Sequence, residues 1–181
     1  MNIWGDKMEN SVLKALKERR SVRSYKAEQI KSGELDAILE AGTYAATGMN
    51  RQSPIIVVVQ DKETIETLRR MNAEIMGTPE KDPFYGAPTV LIVLADRNIR
   101  TYLEDGSLVM GNLMNAAYAV GVDSCWIHRA KEEFESEEGK ALLAKWGIEG
   151  DYAGIGHLIL GYRDCEYPET RARKDNYIYK V

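Results

Sequence analysis

Apolar residues recur with helical spacing in three segments of the first half of the chain, and polar stretches separate them. The first segment predicts a helix that Ser11 caps and that ends near Arg20. A second helix is predicted from residue 32 or 33 to about residue 47. The third is capped by Asp61 and carries apolar residues as far as Ile75.

Four runs rich in β-branched and other apolar residues predict the strands. The run 55–59 is apolar on both faces, which favours a central strand, and 89–95 predicts a second buried strand. A shorter strand is predicted over 122–127 and a last one over 152–162. Helices must cover such a sheet, and the order of elements lacks strict βαβ alternation. The pattern therefore predicts a mixed α and β fold that is not doubly wound.

The remaining segments have distinct characters. Residues 108–120 are apolar almost all round, which predicts a buried helix, and in so short a chain we favour a subunit interface. Residues 132–146 predict one amphipathic surface helix. The loop 77–88 is rich in proline and glycine and is long enough to be functional or mobile. The tail 164–181 has no strong period, yet its end is apolar enough to pack on another surface.

Composition excludes several classes of function. A chain of 181 residues with 44% hydrophobic residues predicts one domain, and the net charge of −4 argues against a nucleic-acid scaffold. No apolar run is long enough for a membrane span, and the first residues lack the apolar core of a signal peptide, so we expect a cytoplasmic protein without a membrane partner. Two cysteines without CxxC spacing and two histidines predict neither a disulfide framework nor a metal site.

The most informative stretch is Arg19-Arg20-Ser21-Val22-Arg23-Ser24-Tyr25, which opposes the negative charge of the whole chain. Arginine presents a planar fork to phosphate oxygens, and serine adds a short neutral donor. The alternative interpretation is a solvated basic helix end. A second basic cluster, Arg171-Ala172-Arg173-Lys174, favours the phosphate hypothesis, because two clusters distant in sequence can meet on one dianion.

Glycine-based phosphate motifs are not found. The sequence has no GxxxxGK[ST] motif. Gly154-Ile155-Gly156 begins like a dinucleotide fingerprint, but the third glycine position falls on Ile159, and the segment is a predicted strand. Arginine side chains would therefore hold any phosphate.

Three motifs together resemble the nitroreductase family of FMN-dependent oxidoreductases. They are the arginine stretch 19–25, the loop Ala46-Thr47-Gly48-Met49-Asn50-Arg51-Gln52-Ser53-Pro54, and Arg171-Ala172-Arg173 after Gly161-Tyr162. The resemblance covers residues 11–174 and implies an α+β fold with a central, mostly antiparallel sheet flanked by helices. It also implies an intertwined homodimer, in which the tail 164–181 packs on the partner and two FMN sites lie at the interface.

The resemblance also assigns cofactor contacts. Arg19, Ser21 and Arg23 would hold the phosphate and ribityl chain or the pyrimidine edge, and Arg20 belongs to the same motif, although a surface charge is the simpler interpretation for it. The other positions that the resemblance implies are Ala46, Thr47, Gly48, Asn50 and Gln52 from the partner's loop, Asn72 near the ring edge, His128 and Arg129 near the flavin N5, and Arg171 and Arg173 at the phosphate.

Ordinary alternatives exist for some of these residues. Asn72 could be a polar residue of a helix that faces solvent, His128 an ordinary loop histidine, and Arg171 a surface partner of Glu169. Arg163 replaces the proline that often follows Gly161-Tyr162 in the family, and the loop at Gln52 lacks the usual tryptophan. These departures affect the substrate rather than the flavin.

The implied activity is hydride transfer from NADH or NADPH through FMN to a small planar acceptor, a nitroaromatic or a quinone, by a ping-pong mechanism. The cofactor carries that chemistry, so no catalytic acid, base or nucleophile is assigned. The alternatives are a flavoenzyme with a different, dedicated substrate, a non-catalytic flavin-binding or stress-response module, and a phosphoprotein-binding module.

Overall fold

The computed structural model describes residues 8–181 of the chain. The chain start, on which the signal-peptide expectation depends, lies in residues 1–7, outside the described part. The elements, in chain order, are α1 (Ser11–Glu18), α2 (Ser32–Thr43), β1 (Pro54–Val59), α3 (Lys62–Met76), β2 (Thr89–Asp96), α4 (Tyr102–Ala119), β3 (Asp123–Ile127), α5 (Ala130–Glu135), α6 (Glu137–Lys145) and β4 (Tyr152–Gly161). Short 3-10 turns occupy Gly48–Asn50 and Asp175–Tyr177.

The four strands form one antiparallel sheet in the order β1-β2-β4-β3. The α+β expectation is confirmed, but the prediction that β1 lies at the centre is wrong, because β1 is an edge strand. Its apolar run does place side chains on both faces of the sheet, with Ile55 and Val57 packed on one side and Ile56 on the other. Burial of the two faces does not determine how many strands lie beside it.

The core is divided between the two faces of the sheet, and the alternating residues of β2 belong to both. Val90, Ile92 and Leu94 pack with residues of α3, α5 and α6. Leu91 and Val93 pack against α2 and α4 on the opposite side. All five of these side chains are fully buried, as the sequence predicted for this strand.

Helix starts follow local capping chemistry. Asp61 caps α3 as predicted, with its carboxylate accepting from the Thr64 backbone N–H at 2.9 Å. The cap of α1 is Asn10, whose Oδ1 accepts from the Leu13 N–H at 2.9 Å, so the prediction of Ser11 as the cap is wrong by one position.

The single helix predicted over 132–146 is two helices that meet at Ser136. The Ser136 hydroxyl donates to the Glu133 carbonyl at 2.6 Å and accepts from the Gly139 N–H at 3.0 Å. Serine competes with helical hydrogen bonding in this way, which ends one helix and starts the next. The apolar period continues through the break, and therefore periodicity alone did not detect it.

We expect Ser136→Ala to lower the free energy of unfolding by about 1 kcal/mol, because α6 loses its N-cap. Urea denaturation monitored by circular dichroism measures this loss. Ser136→Asp, which keeps an acceptor for the Gly139 N–H, serves as the control and should lose less. An equal loss for both variants would contradict the capping role.

Helix α4 begins at Tyr102, well before the predicted 108–120 segment. One side packs on the sheet through residues such as Met110 and Leu113, while Leu103 and Leu108 remain exposed. The tail ends with Tyr177, Ile178 and Tyr179, which are all exposed. Among residues 8–181, none of the helices combines the length and the apolar character that crossing a membrane requires.

Candidate functional site: an arginine-lined cavity

The arginine stretch runs beside β3 in extended form. The Val22 N–H donates to the Ser124 carbonyl at 3.1 Å, and Ser21 and Ser124 form a parallel bridge. Val22 is fully buried in the core. Because alternate residues of an extended segment point to opposite sides, Ser21 and Arg23 project away from the core. The spacing of residues 19, 21 and 23 thus places a serine and two arginines along one side.

The thiol of Cys125, the third residue of β3, shows how close this side lies to the strand. Burial raises the pKa of Cys125, while the charge of Arg23, a hydrogen bond from Ser21 and the charge of Arg19 act in the opposite direction. Arg19, Ser21 and Arg23 therefore all lie close enough to the buried Cys125 to affect its pKa.

A cavity of about 500 Å³ opens at the C-terminal end of β3. Arg23 lines it together with His128 and Arg129, and the loop 77–88 contributes Lys81 and Tyr85. One acid, Asp82, also lines the cavity, but its two carboxylate oxygens accept from the Phe84 and Gly86 N–H groups at 2.8 and 2.7 Å. The cavity is thus cationic and suits an anionic ligand.

Arg19 and Arg23 lack the partners that surface arginines commonly have. Within residues 8–181, neither forms an ion pair with a carboxylate, and the Nη1 atom of Arg19 is buried without a hydrogen-bond partner. A buried donor without an acceptor is unfavourable, and phosphate oxygens would remove that cost. The two residues therefore fit the phosphate of a ligand such as FMN.

Arg20 is placed differently. Its Nη1 donates to the carbonyls of Lys17 and Arg19 at 2.8 and 2.7 Å, and its Nη2 donates to the Thr170 hydroxyl. Its backbone N–H donates to the Tyr167 hydroxyl at 2.8 Å. These bonds occupy both terminal nitrogens of the guanidinium, while Nε is buried without a partner among the described residues. We therefore expect Arg20 to fasten the tail to the end of α1 rather than to contact phosphate through its terminal nitrogens.

The second basic cluster is not brought into the cavity within one chain. Arg171 and Arg173 are exposed in the tail. Their nearest link to the first cluster is Thr170, which accepts from Arg20. An intramolecular meeting of the two clusters is therefore not seen among the described residues, and the structure shows no pairing of Arg171 with Glu169 either.

The loop 46–52 lies at a different cavity, of about 410 Å³, beside β1 and α2. Thr47 and Gln52 line it, and no described residue lines both cavities. Ala46 and Asn50 are exposed. Asn50 and Gln52 adopt left-handed backbone angles, with φ of 55° and 51°. Such angles persist outside glycine where surrounding contacts impose them.

Asp105 on α4 supplies those contacts, and the sequence analysis did not identify it. This buried carboxylate accepts from the Gly48 N–H at 2.8 Å, the Thr101 hydroxyl at 3.0 Å and the Ser53 hydroxyl at 3.1 Å. The Thr47 hydroxyl adds an internal bond by accepting from the Gln52 N–H at 3.1 Å. The acidic pair Glu104 and Asp105 in the first turn of a largely apolar helix was the available signal.

We expect Asp105→Ala to lower the free energy of unfolding by about 3 kcal/mol. The three donors of Gly48, Ser53 and Thr101 lose their acceptor, and the buried Ser53 hydroxyl is left without a hydrogen bond. Chemical denaturation measures the change. Glu104→Ala, at an exposed neighbouring position, is the matched control and should change stability little. Equal stability of Asp105→Ala and wild type would show that the carboxylate does not organise the loop.

Asn72 is fully buried on α3, so the solvent-facing alternative is wrong. Its Nδ2 donates to the His128 carbonyl at 2.8 Å and to the Glu133 carboxylate, and its Oδ1 accepts from Arg129 Nε at 2.9 Å. The side chain is therefore directed at the loop that lines the cavity, while His128 itself is exposed. Glu133, fully buried, was also missed by the sequence analysis.

Fold and cavity together define an α+β protein with a cationic, ligand-sized cavity beside the last residues of β3. The model of the nitroreductase family matches residues 16–162. The chain therefore belongs to the nitroreductase family, and the resemblance drawn from its three motifs is confirmed.

Individual relatives agree with this membership. A nitroreductase from Bacteroides fragilis, whose crystal structure contains FMN, superimposes with a TM-score of 0.88 at 28% identity, covering 96% of this chain and all of that chain. An FMN reductase [NAD(P)H] from Bacillus subtilis is 36% identical over 97 residues, which are 53% of this chain and 36% of the relative. A Methanothermobacter thermautotrophicus protein with the provisional name NADH dehydrogenase/NAD(P)H nitroreductase is 26% identical over 130 residues, 70% of this chain and 65% of its own length.

Proposed function

We propose that this protein is an FMN-dependent oxidoreductase that takes hydride from NADH or NADPH and reduces a small planar acceptor. The observation that carries the proposal is the pair Arg19 and Arg23, which lack acidic partners beside a cationic cavity in a member of the nitroreductase family. The FMN-bound relative from Bacteroides fragilis, similar over 96% of this chain, supports the choice of cofactor.

Arg19, Ser21 and Arg23 would hold the phosphate end of FMN. A nearly dianionic phosphate needs several charge-assisted donors to leave water, and two free guanidinium groups with a hydroxyl between them provide such a set. Arg171 and Arg173 would complete it. Both are exposed on a tail that Arg20 and Tyr167 fasten near the same helix end.

The other end of the site would come from a second copy of the chain. The loop 46–52 lines a cavity separate from the one that holds Arg23, so one copy does not bring both sets of residues together. In a homodimer, Ala46, Thr47, Gly48, Asn50 and Gln52 of the partner would approach the flavin ring. The exposed apolar end of the tail, residues 177–179, would pack on the partner.

The cavity residues would bind and orient rather than react. FMN, when bound, supplies the hydride chemistry, accepting from the nicotinamide and passing to the acceptor. The chain's part is to fix the phosphate through the arginines and to present polar groups such as Asn50 and Gln52 to the ring edge. Tyr85 and Trp126, which also line the cavity, would limit water and offer flat surfaces for stacking.

The test is steady-state kinetics with NADH and NADPH against a panel of nitroaromatics and quinones. A ping-pong mechanism predicts parallel double-reciprocal lines with several acceptors. Activity restricted to one acceptor class would favour a dedicated physiological substrate. Bound FMN that neither nucleotide reduces would overturn the enzymatic proposal and favour a flavin-binding module.

A further inference from the structure

A buried polar network lies directly behind the cavity. Asn72 connects three elements: it donates to the His128 carbonyl at the end of β3 and to Glu133 on α5, and it accepts from Arg129 between them. Asn72 and Glu133 are both fully buried. All three hydrogen bonds of the Asn72 side chain are therefore internal, and both of its N–H donors are occupied by protein acceptors.

Arg129 is the member of the network that reaches the cavity. Its Nε is bonded to Asn72 at 2.9 Å, and its backbone carbonyl accepts from the Glu133 N–H at 2.9 Å. Its φ is 80°, a left-handed angle that arginine adopts only when surrounding structure imposes it. The two terminal guanidinium nitrogens form no hydrogen bond or ion pair with the described residues.

The second carboxylate oxygen of Glu133 faces His157 at the far end of the network. This Oε2 atom lies 3.2 Å from His157 Nε2 on β4, and both side chains are fully buried. The His157 ring is surrounded by Phe84 and Phe134, whose ring centroids lie 5.3 and 6.3 Å away. Burying a carboxylate in such surroundings is energetically unfavourable unless it is paired or hydrogen-bonded, as Glu133 is to Asn72.

We propose that Asn72 and Glu133 are positioning residues that fix the Arg129 guanidinium at the cavity, where it contacts bound FMN. The inference rests on the proposed function. A guanidinium held at Nε keeps its two terminal nitrogens aimed in one direction, so less rotamer freedom is lost when a ligand binds. Asn72 would then act through Arg129 rather than by touching the ring.

The test is a double-mutant cycle on FMN affinity, measured by quenching of FMN fluorescence as apoprotein is added. We expect Arg129→Ala and Asn72→Ala each to weaken FMN binding roughly tenfold, as for loss of one hydrogen bond to a charged group. The double variant should be no weaker than Arg129→Ala alone, because Asn72 acts through the missing side chain. Losses that multiply to about a hundredfold would overturn the proposal.

Arg129→Lys provides a second test that does not depend on the folding of Asn72→Ala. Lysine keeps the positive charge but has no Nε–H for Asn72, so its FMN affinity should fall nearly as far as that of Arg129→Ala. Wild-type affinity in Arg129→Lys would show that charge alone matters and would overturn the positioning role. Arg70→Ala, which removes an exposed arginine of the same helix as Asn72, is the control and should leave affinity unchanged.

The wild-type titration separates the two proposals. If the wild-type protein fails to bind FMN, the proposed function is wrong. If it binds FMN and the Asn72 and Arg129 variants bind equally well, only the positioning inference is wrong.

Discussion

Replacing both Arg19 and Arg23 with alanine is expected to weaken FMN binding by a factor of a hundred or more. Each hydrogen bond to a charged group contributes about 1.5–3 kcal/mol, and the pair would remove two such donors from the phosphate. The fold should tolerate the change, because neither side chain forms an ion pair within the described residues. Fluorescence titration of the apoprotein with FMN measures the loss.

Riboflavin provides the decisive comparison, because it carries the same ring without the phosphate. The double variant should bind riboflavin about as well as the wild-type protein does. Arg100→Ala, at an exposed position outside the cavity, controls for the general loss of positive charge and should bind FMN normally. Equal losses for FMN and riboflavin would mean that these arginines do not contact the phosphate.

The second large effect concerns the exposed apolar surface of α1. Val12 and Leu16 are 65% and 56% exposed, and they line a groove toward α4 with Ala116 and Asn112. If this surface is the dimer interface, Leu16→Glu would bury an unpaired charge there. We expect the dimer dissociation constant to rise at least a hundredfold, since an unpaired buried charge costs several kcal/mol.

Light scattering coupled to size-exclusion chromatography measures the oligomeric state of this variant. Because the partner would supply the loop 46–52, the monomeric variant should also lose FMN. Ala144→Glu places the same charge on the exposed face of α6 and should remain dimeric with FMN bound. A wild-type protein that is monomeric yet retains FMN would contradict the shared site.

Local features of the fold could be predicted because they depend on neighbouring residues. The apolar run of β2 determined its full burial, and Asp61 determined the start of α3. The edge position of β1 could not be predicted, since the same apolar run serves a central strand or an edge strand with both faces covered. The break at Ser136 was hidden for a similar reason, because the apolar period continues across it.

In the candidate site, too, the features that depend on neighbouring residues could be predicted and those that depend on distant residues could not. Arg19, Ser21 and Arg23 could be predicted to share one side, because they are alternate residues and an extended segment places alternate residues on one side. Asp105 and Glu133 were missed because they act on partners that are distant in the chain, which no local pattern reveals. Gly48 and Ser53 lie 57 and 52 residues from Asp105, and Asn72 lies 61 residues from Glu133. Family membership came from the co-occurrence of three motifs, which short-range chemistry alone would not have joined.

The central claim is tested most directly by the visible absorption spectrum of the purified protein under anaerobic conditions, before and after NADH or NADPH is added. The account predicts a flavin spectrum that bleaches with at least one of the two nucleotides and returns when a quinone is supplied. A protein that shows no flavin spectrum, even after incubation with FMN, would contradict the assignment of the arginine-lined cavity.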